Sequence, residues 1–287
     1  MTAILMAACY DQTTRDDDAG TPATPYIVAA CDTLFSTETS SNANVPLGKI
    51  QKLGFLDNWL IGFAGSAEHF IPARGFVRHT LDEIRYGVDP KTITDEQITD
   101  KLAKGYMVYR RRCIERECMA RCDDMTLAEF RQHGQQRYGE YEYNRLNKSF
   151  SEYELKLDLL VAGFNQHNSP VIGRIENPGL WRNRPERYEA VGSGADLAIG
   201  YLDATGFGPY APVEHIMYRI LEAKIFSEAA PLVGTGTFLI RMNSKGVCQR
   251  VADEDCAAFG ALWRKRRAEY ARPLLKLVSR AYEFYNY

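Results

Sequence analysis

No stretch of this sequence approaches the roughly 18 consecutive apolar residues that a membrane-spanning helix needs, which gives no reason to expect one. Net charge is also small: 35 basic against 37 acidic side chains leave −2 over 287 residues, so no overall field draws the chain to nucleic acid or an anionic membrane. Histidine is scarce. His69, His79, His133, His167 and His215 show neither zinc-site spacing nor that of a histidine-activated nucleophile. Low-complexity tracts and collagen-like repeats are missing. The apolar run at residues 3–9 has no basic leader before it, and the seven cysteines are odd in number and widely spread. Together these lead us to expect a cytoplasmic chain with reduced thiols. Cys113, Cys118 and Cys122 come nearest to a metal cluster, but His133 is the one further donor close by, so neither metal nor cofactor is expected.

The order of elements is informative. Residues 2–9 and 26–31 are short apolar runs separated by a polar loop at 11–25. Both faces of both runs are apolar, which places them as neighbouring strands inside a layered structure. Strands follow at 49–53 and 59–63, then helical spacing at 67–86 and from Thr94, where Thr94 and Gln97 offer a capping box, to about Cys122. Residues 126–154 are charged and rich in Tyr, Gln and Arg, and read as an irregular or partly helical insertion. Strands are expected at 157–164, 170–175 and 188–191, helices at 192–202 and 212–229, and a hairpin at 237–251 with its turn at 243–246. The tail from 253 reads as helical, with Pro273 starting a new helix. This order departs from strict β–α alternation and predicts an α+β fold, a four-layer αββα sandwich of two antiparallel sheets. We expect one domain over 1–252, with insertions near 11–25 and 120–154, and a helical extension at 253–287.

Five segments carry a resemblance: Thr2 directly after the start methionine; Ala29-Ala30-Cys31-Asp32; Gly48-Lys49-Ile50-Gln51-Lys52-Leu53; Ile61-Gly62-Phe63-Ala64-Gly65-Ser66-Ala67; and Ala190-Val191-Gly192-Ser193-Gly194-Ala195-Asp196. In this order they resemble the active-site segments of proteasome β subunits and of their bacterial relative, the peptidase HslV. These are N-terminal nucleophile hydrolases. The resemblance covers roughly 2–10, 26–110 and 155–250.

It implies that Thr2, freed by removal of Met1, is the nucleophile. A threonine hydroxyl needs a base, and a free α-amine with a reference pKa near 8 can serve. Lys49 would lower the pKa of the hydroxyl and amine by its charge, and Asp32 would hold Lys49 oriented. Ser193 would hydrogen-bond near the amine, and the Gly65 amide would stabilise the oxyanion. Phe63 would floor the pocket for a substrate side chain, while Ser36 and Ala67 would offer backbone groups to an extended peptide. The expected partners are a peptide or unfolded protein substrate, further copies of the chain in a ring, and an ATP-dependent unfoldase.

Each residue has a plainer reading. Asp32 could cap a turn, Lys49 could lie on the surface, Ser193 could cap the helix after it, and Gly65 could be a turn glycine. The sequence also departs from the family. Leu34 stands where many relatives have arginine, and Ala230 and Val233 stand where many have aspartate and serine. These departures keep open a structural or scaffold subunit that retains the fold without the activity. A hydrolase acting on a small amide is the further alternative. The basic runs Arg110-Arg111-Arg112 and Arg264-Lys265-Arg266-Arg267 read as solvated or subunit-facing helix surfaces.

Overall fold

The structure is a computed structural model that describes residues 2–11, 24–32, 53–56, 59–87, 94–120, 122, 125–165, 167–182, 187–231 and 233–267. In chain order its strands are β1 (Ile4–Asp11), β2 (Thr24–Asp32), β3 (Leu53–Leu56), β4 (Trp59–Gly65), β5 (Leu157–Phe164), β6 (Pro170–Glu176), β7 (Leu180–Arg182), β8 (Tyr188–Val191), β9 (Thr237–Asn243) and β10 (Cys248–Arg250). Its helices are α1 (Phe70–Gly87), α2 (Asp95–Glu117), α3 (Leu127–Tyr138), α4 (Glu140–Ser151), α5 (Ala195–Ala204), α6 (Val213–Ser227) and α7 (253–267), with a 3-10 turn at Ala67–His69 leading into α1.

The strands form two antiparallel five-stranded sheets, ordered β10-β9-β2-β1-β8 and β3-β4-β5-β6-β7. Side-chain alternation explains the layering. In β1, Leu5, Ala7 and Cys9 join a core with α5 and α6, whereas Ile4, Met6 and Ala8 point to the other sheet. In β5, Leu157, Leu159 and Val161 meet α1 and α2, while Leu160, Ala162 and Phe164 complete the inter-sheet core. The doubly apolar runs are therefore central strands, as expected from their composition. The register of β1 on β2 sets Ile4 opposite Cys31, so Ala3 lies beside Asp32.

Several local expectations hold. Thr94 caps α2 through a reciprocal box with Gln97, the Thr94 amide donating to Oε1 at 3.1 Å and the Gln97 amide to Oγ1 at 3.2 Å. The β9–β10 turn is an Asx turn in which Asn243 Oδ1 accepts from the amides of Lys245 and Val247, each at 3.0 Å. Others are corrected. α2 stops at Glu117, so Cys118 and Cys122 are outside it. The strand β7 was not anticipated, because three residues around Trp181 show no alternation to read. The 126–154 segment is two regular helices, α3 and α4, around a small core of Ile114, Met119, Leu127, Phe130 and Phe150. Phe130 stacks on Tyr143 with ring centroids 5.1 Å apart, and Thr126 and Glu129 form a second capping box. Expectations at 11–25 and the later part of 253–287 fall largely outside the described residues.

Candidate active site

β1 starts two residues after Thr2, and the antiparallel pairing with β2 delivers Thr2 and Ala3 to Asp32. The Asp32 amide donates to the Ala3 carbonyl at 3.2 Å, and the Ala3 amide donates back to Asp32 Oδ1 at 3.2 Å. The Thr2 hydroxyl also donates to Oδ1. The second carboxylate oxygen, Oδ2, accepts the Gly234 amide at 3.0 Å. Asp32 is fully buried and Thr2 is 3 % exposed. A carboxylate so removed from water is tolerable because it accepts several donors.

The Gly192-Ser193-Gly194 turn closes over the same spot. The Gly194 amide and the Ser193 hydroxyl donate to the Thr2 carbonyl at 3.3 and 3.4 Å. Gly192 has φ +96°, and a Cβ there would lie 2.2 Å from the Thr2 carbonyl oxygen. A Cβ on Gly194 would lie 2.9 Å from that of Ala3. Both glycines are thus required by close backbone approach to Thr2 and Ala3. The serine is not the helix cap: the residue at that position of α5 is Gly194, which makes no side-chain cap. Ser193 instead faces Thr2, with its hydroxyl also 3.4 Å from the Pro231 carbonyl.

The structure brings Thr2, Asp32 and Ser193 together. Gly65 ends β4 in the other sheet, opposite Leu157, with φ +120°, and a Cβ there would lie 2.1 Å from the Lys156 carbonyl oxygen. The sheets meet nearby, where Gly62 lies against Ile4, an added Cβ falling 2.8 Å from Ile4 Cγ2. Phe63 is buried on the α1–α2 side of its sheet, in a cluster with Ala73 and Val77, and Ala67 opens the 3-10 turn after β4. Lys49 and Ser36 lie outside the described residues, as does Met1.

Two participants escaped the sequence reading. One is the Gly234 amide, which donates to Asp32 Oδ2 although Ala230 and Val233 before it bring no polar side chain. The other is Lys224 on α6, whose ammonium is fully buried. It donates to the carbonyls of Gly234 and Gly236 at 2.7 and 3.0 Å and to Glu228 Oε1 at 2.8 Å. Burial pushes its pKa below the usual lysine range, while Glu228 and Asp32 oppose that shift. A lysine flanked by apolar residues, in Leu221-Glu222-Ala223-Lys224-Ile225, with Glu228 one turn on, was the available signal.

Among the described residues no group of three His, Cys, Asp or Glu side chains is placed to hold a metal ion. No described helix is long and apolar enough to cross a membrane. Comparison with protein-family models and with curated proteins gives no match for this chain.

Proposed function

We propose that this chain is a proteasome-like N-terminal nucleophile hydrolase, a threonine peptidase acting through Thr2 once Met1 is removed. The observation that supports it best is the hydrogen bond from the Thr2 hydroxyl to buried Asp32 beneath the Gly192–Gly194 turn. In this reading Asp32 anchors Thr2 to β2 through the Ala3 amide, and once Met1 is gone the Thr2 O–H turns from Oδ1 to the freed α-amine, which takes its proton as Oγ1 attacks the substrate carbonyl carbon. The oxyanion forms against the Gly65 amide. The amine then returns the proton to the leaving nitrogen, and water hydrolyses the Thr2 ester. Lys49 supplies positive charge beside the hydroxyl. Phe63 floors the pocket for a substrate side chain, and Ser36 and Ala67 offer backbone groups to an extended peptide. The assembly is a ring of copies fed by an ATP-dependent unfoldase.

One observation favours a second reading, a scaffold subunit with the fold and no activity: the Thr2 side chain is buried rather than open to a substrate. Intact mass and covalent trapping separate the two. Under the peptidase reading the purified chain lacks one methionine, and a peptide vinyl sulfone adds one equivalent at Thr2. A fluorogenic peptide panel is then cleaved by the native chain and not by Thr2→Ala. A retained Met1, or equal cleavage by Thr2→Ala, rejects it. Turnover of small amides alone moves the assignment to an amidohydrolase.

A further inference from the structure

We propose that Lys224 is a positioning residue that presents the Gly234 amide to Asp32, and that α7 holds it in place through Arg264. This goes beyond the peptidase reading, on which only its consequence for Thr2 reactivity rests.

The argument begins with a burial that needs a reason. A lysine on an amphipathic helix ordinarily runs its ammonium out to water, and burying one costs several kcal/mol unless its donors are satisfied. Lys224 has three N–H donors and three acceptors within 3.0 Å: Gly234 O, Gly236 O and Glu228 Oε1. With all three engaged, it acts on Asp32 through the backbone it grips and through its charge. Two of the acceptors, on either side of Thr235, lie immediately before β9. Gripping both fixes this segment, and the Gly234 N–H on the same residue points to Asp32 Oδ2 at 3.0 Å. Asp32 in turn orders Thr2 and Ala3 through Oδ1.

The clamp has a second anchor. Glu228 offers Oε1 to Lys224 and Oε2 to Arg264 of α7. Trp263, the preceding residue of α7, donates its indole N–H to Glu222 Oε1 at 3.1 Å. Hydrogen bonds therefore run from α7 through Glu228 and Lys224 to Gly234, Asp32 and Thr2. Arg264, in a run whose composition alone reads as a solvated surface, holds the acid that holds the clamp.

Amide hydrogen exchange on the full chain tests this directly. In Lys224→Met, a peptide covering 228–237 should exchange roughly five- to tenfold faster through loss of the Gly234 contacts. A peptide from β5 in the other sheet should keep its native rate. Glu228→Gln and Arg264→Gln, which retain the lysine, should show the same local loosening to a smaller degree. Where Lys224→Met does not fold, these two milder variants decide. The second arm measures reactivity: kcat should fall about a hundredfold in Lys224→Met, with KM little changed, as expected for a misplaced nucleophile. Native exchange at 228–237 in the folded variants overturns the proposal, as does loosening spread equally over β5. A native chain that neither cleaves peptide nor takes up vinyl sulfone refutes the peptidase reading, and the exchange arm then decides on Lys224 alone.

Discussion

The two outer helical layers bury different chemistry. Against the sheet containing β5, α1 and α2 bring aromatic rings and phenols: Tyr106 donates to the Leu157 carbonyl at 2.7 Å, and Tyr109 lies 2.9 Å from His69 Nδ1 and stacks on Phe76. Burial holds both phenols well above their ordinary pKa, hence neutral. Against the sheet containing β1, α6 buries Lys224, Glu222 and Ser227. Charge is expensive inside a protein, and here it is concentrated behind the edge of the sandwich where a buried carboxylate meets the start of β1. The first layer is built for packing. The second is built to hold a backbone segment in place, and it is expected to tolerate substitution less.

The comparison is broken most directly by removing one hydrogen-bonding group from each layer. Lys224→Met leaves Glu228 and two glycine carbonyls without their cation, and is expected to lower unfolding free energy by about 3–5 kcal/mol. Urea unfolding followed by circular dichroism measures it. Tyr106→Phe deletes a single neutral hydrogen bond and should cost about 1 kcal/mol in the same assay. Equal losses would mean that the charge behind Asp32 has no special weight.

Between these two falls Gly192→Ala. Its φ of +96° and the 2.2 Å approach to the Thr2 carbonyl leave no room for a methyl group. The expected loss is about 2–3 kcal/mol, and the reaction of Thr2 with vinyl sulfone should drop with it. A variant that loses stability but reacts normally would detach the Gly-Ser-Gly turn from Thr2.

The Gly-Ser-Gly run was legible only as one of five segments in order. Taken alone, two glycines around a serine say little; the close approach to Thr2 and Ala3 that requires them appears only in the fold. The doubly apolar composition of 3–9 and 26–31 contained their central position, because a strand with no polar face has no place at a surface. The misses have a common cause. Gly234 acts through its amide, and Lys224 through backbone carbonyls of a segment beyond its own helix, so neither shows as a pattern of side-chain types. The α3–α4 pair was obscured differently. Its core rests on few apolar residues, chiefly Leu127, Phe130 and Phe150, so charge dominates the pattern along both helices.

The smallest effect sharpens the comparison from the opposite side. Gly200 lies within α5, exposed, and an added Cβ meets no atom within 4 Å. Nothing there requires glycine, and a helix interior penalises its flexibility, so Gly200→Ala should raise stability by about 0.5–1 kcal/mol. It sits on the same helix that the Gly192–Gly194 turn introduces, and the two sites differ in backbone and in surroundings: Gly192 has φ +96° and the Thr2 carbonyl where the methyl group would go, and Gly200 has neither. Opposite signs in a paired melting experiment would show that the left-handed backbone and close approach to Thr2 make glycine necessary at 192, while nothing does at 200. A loss from Gly200→Ala would instead mean that the open space around this face of α5 is not what decides the effect.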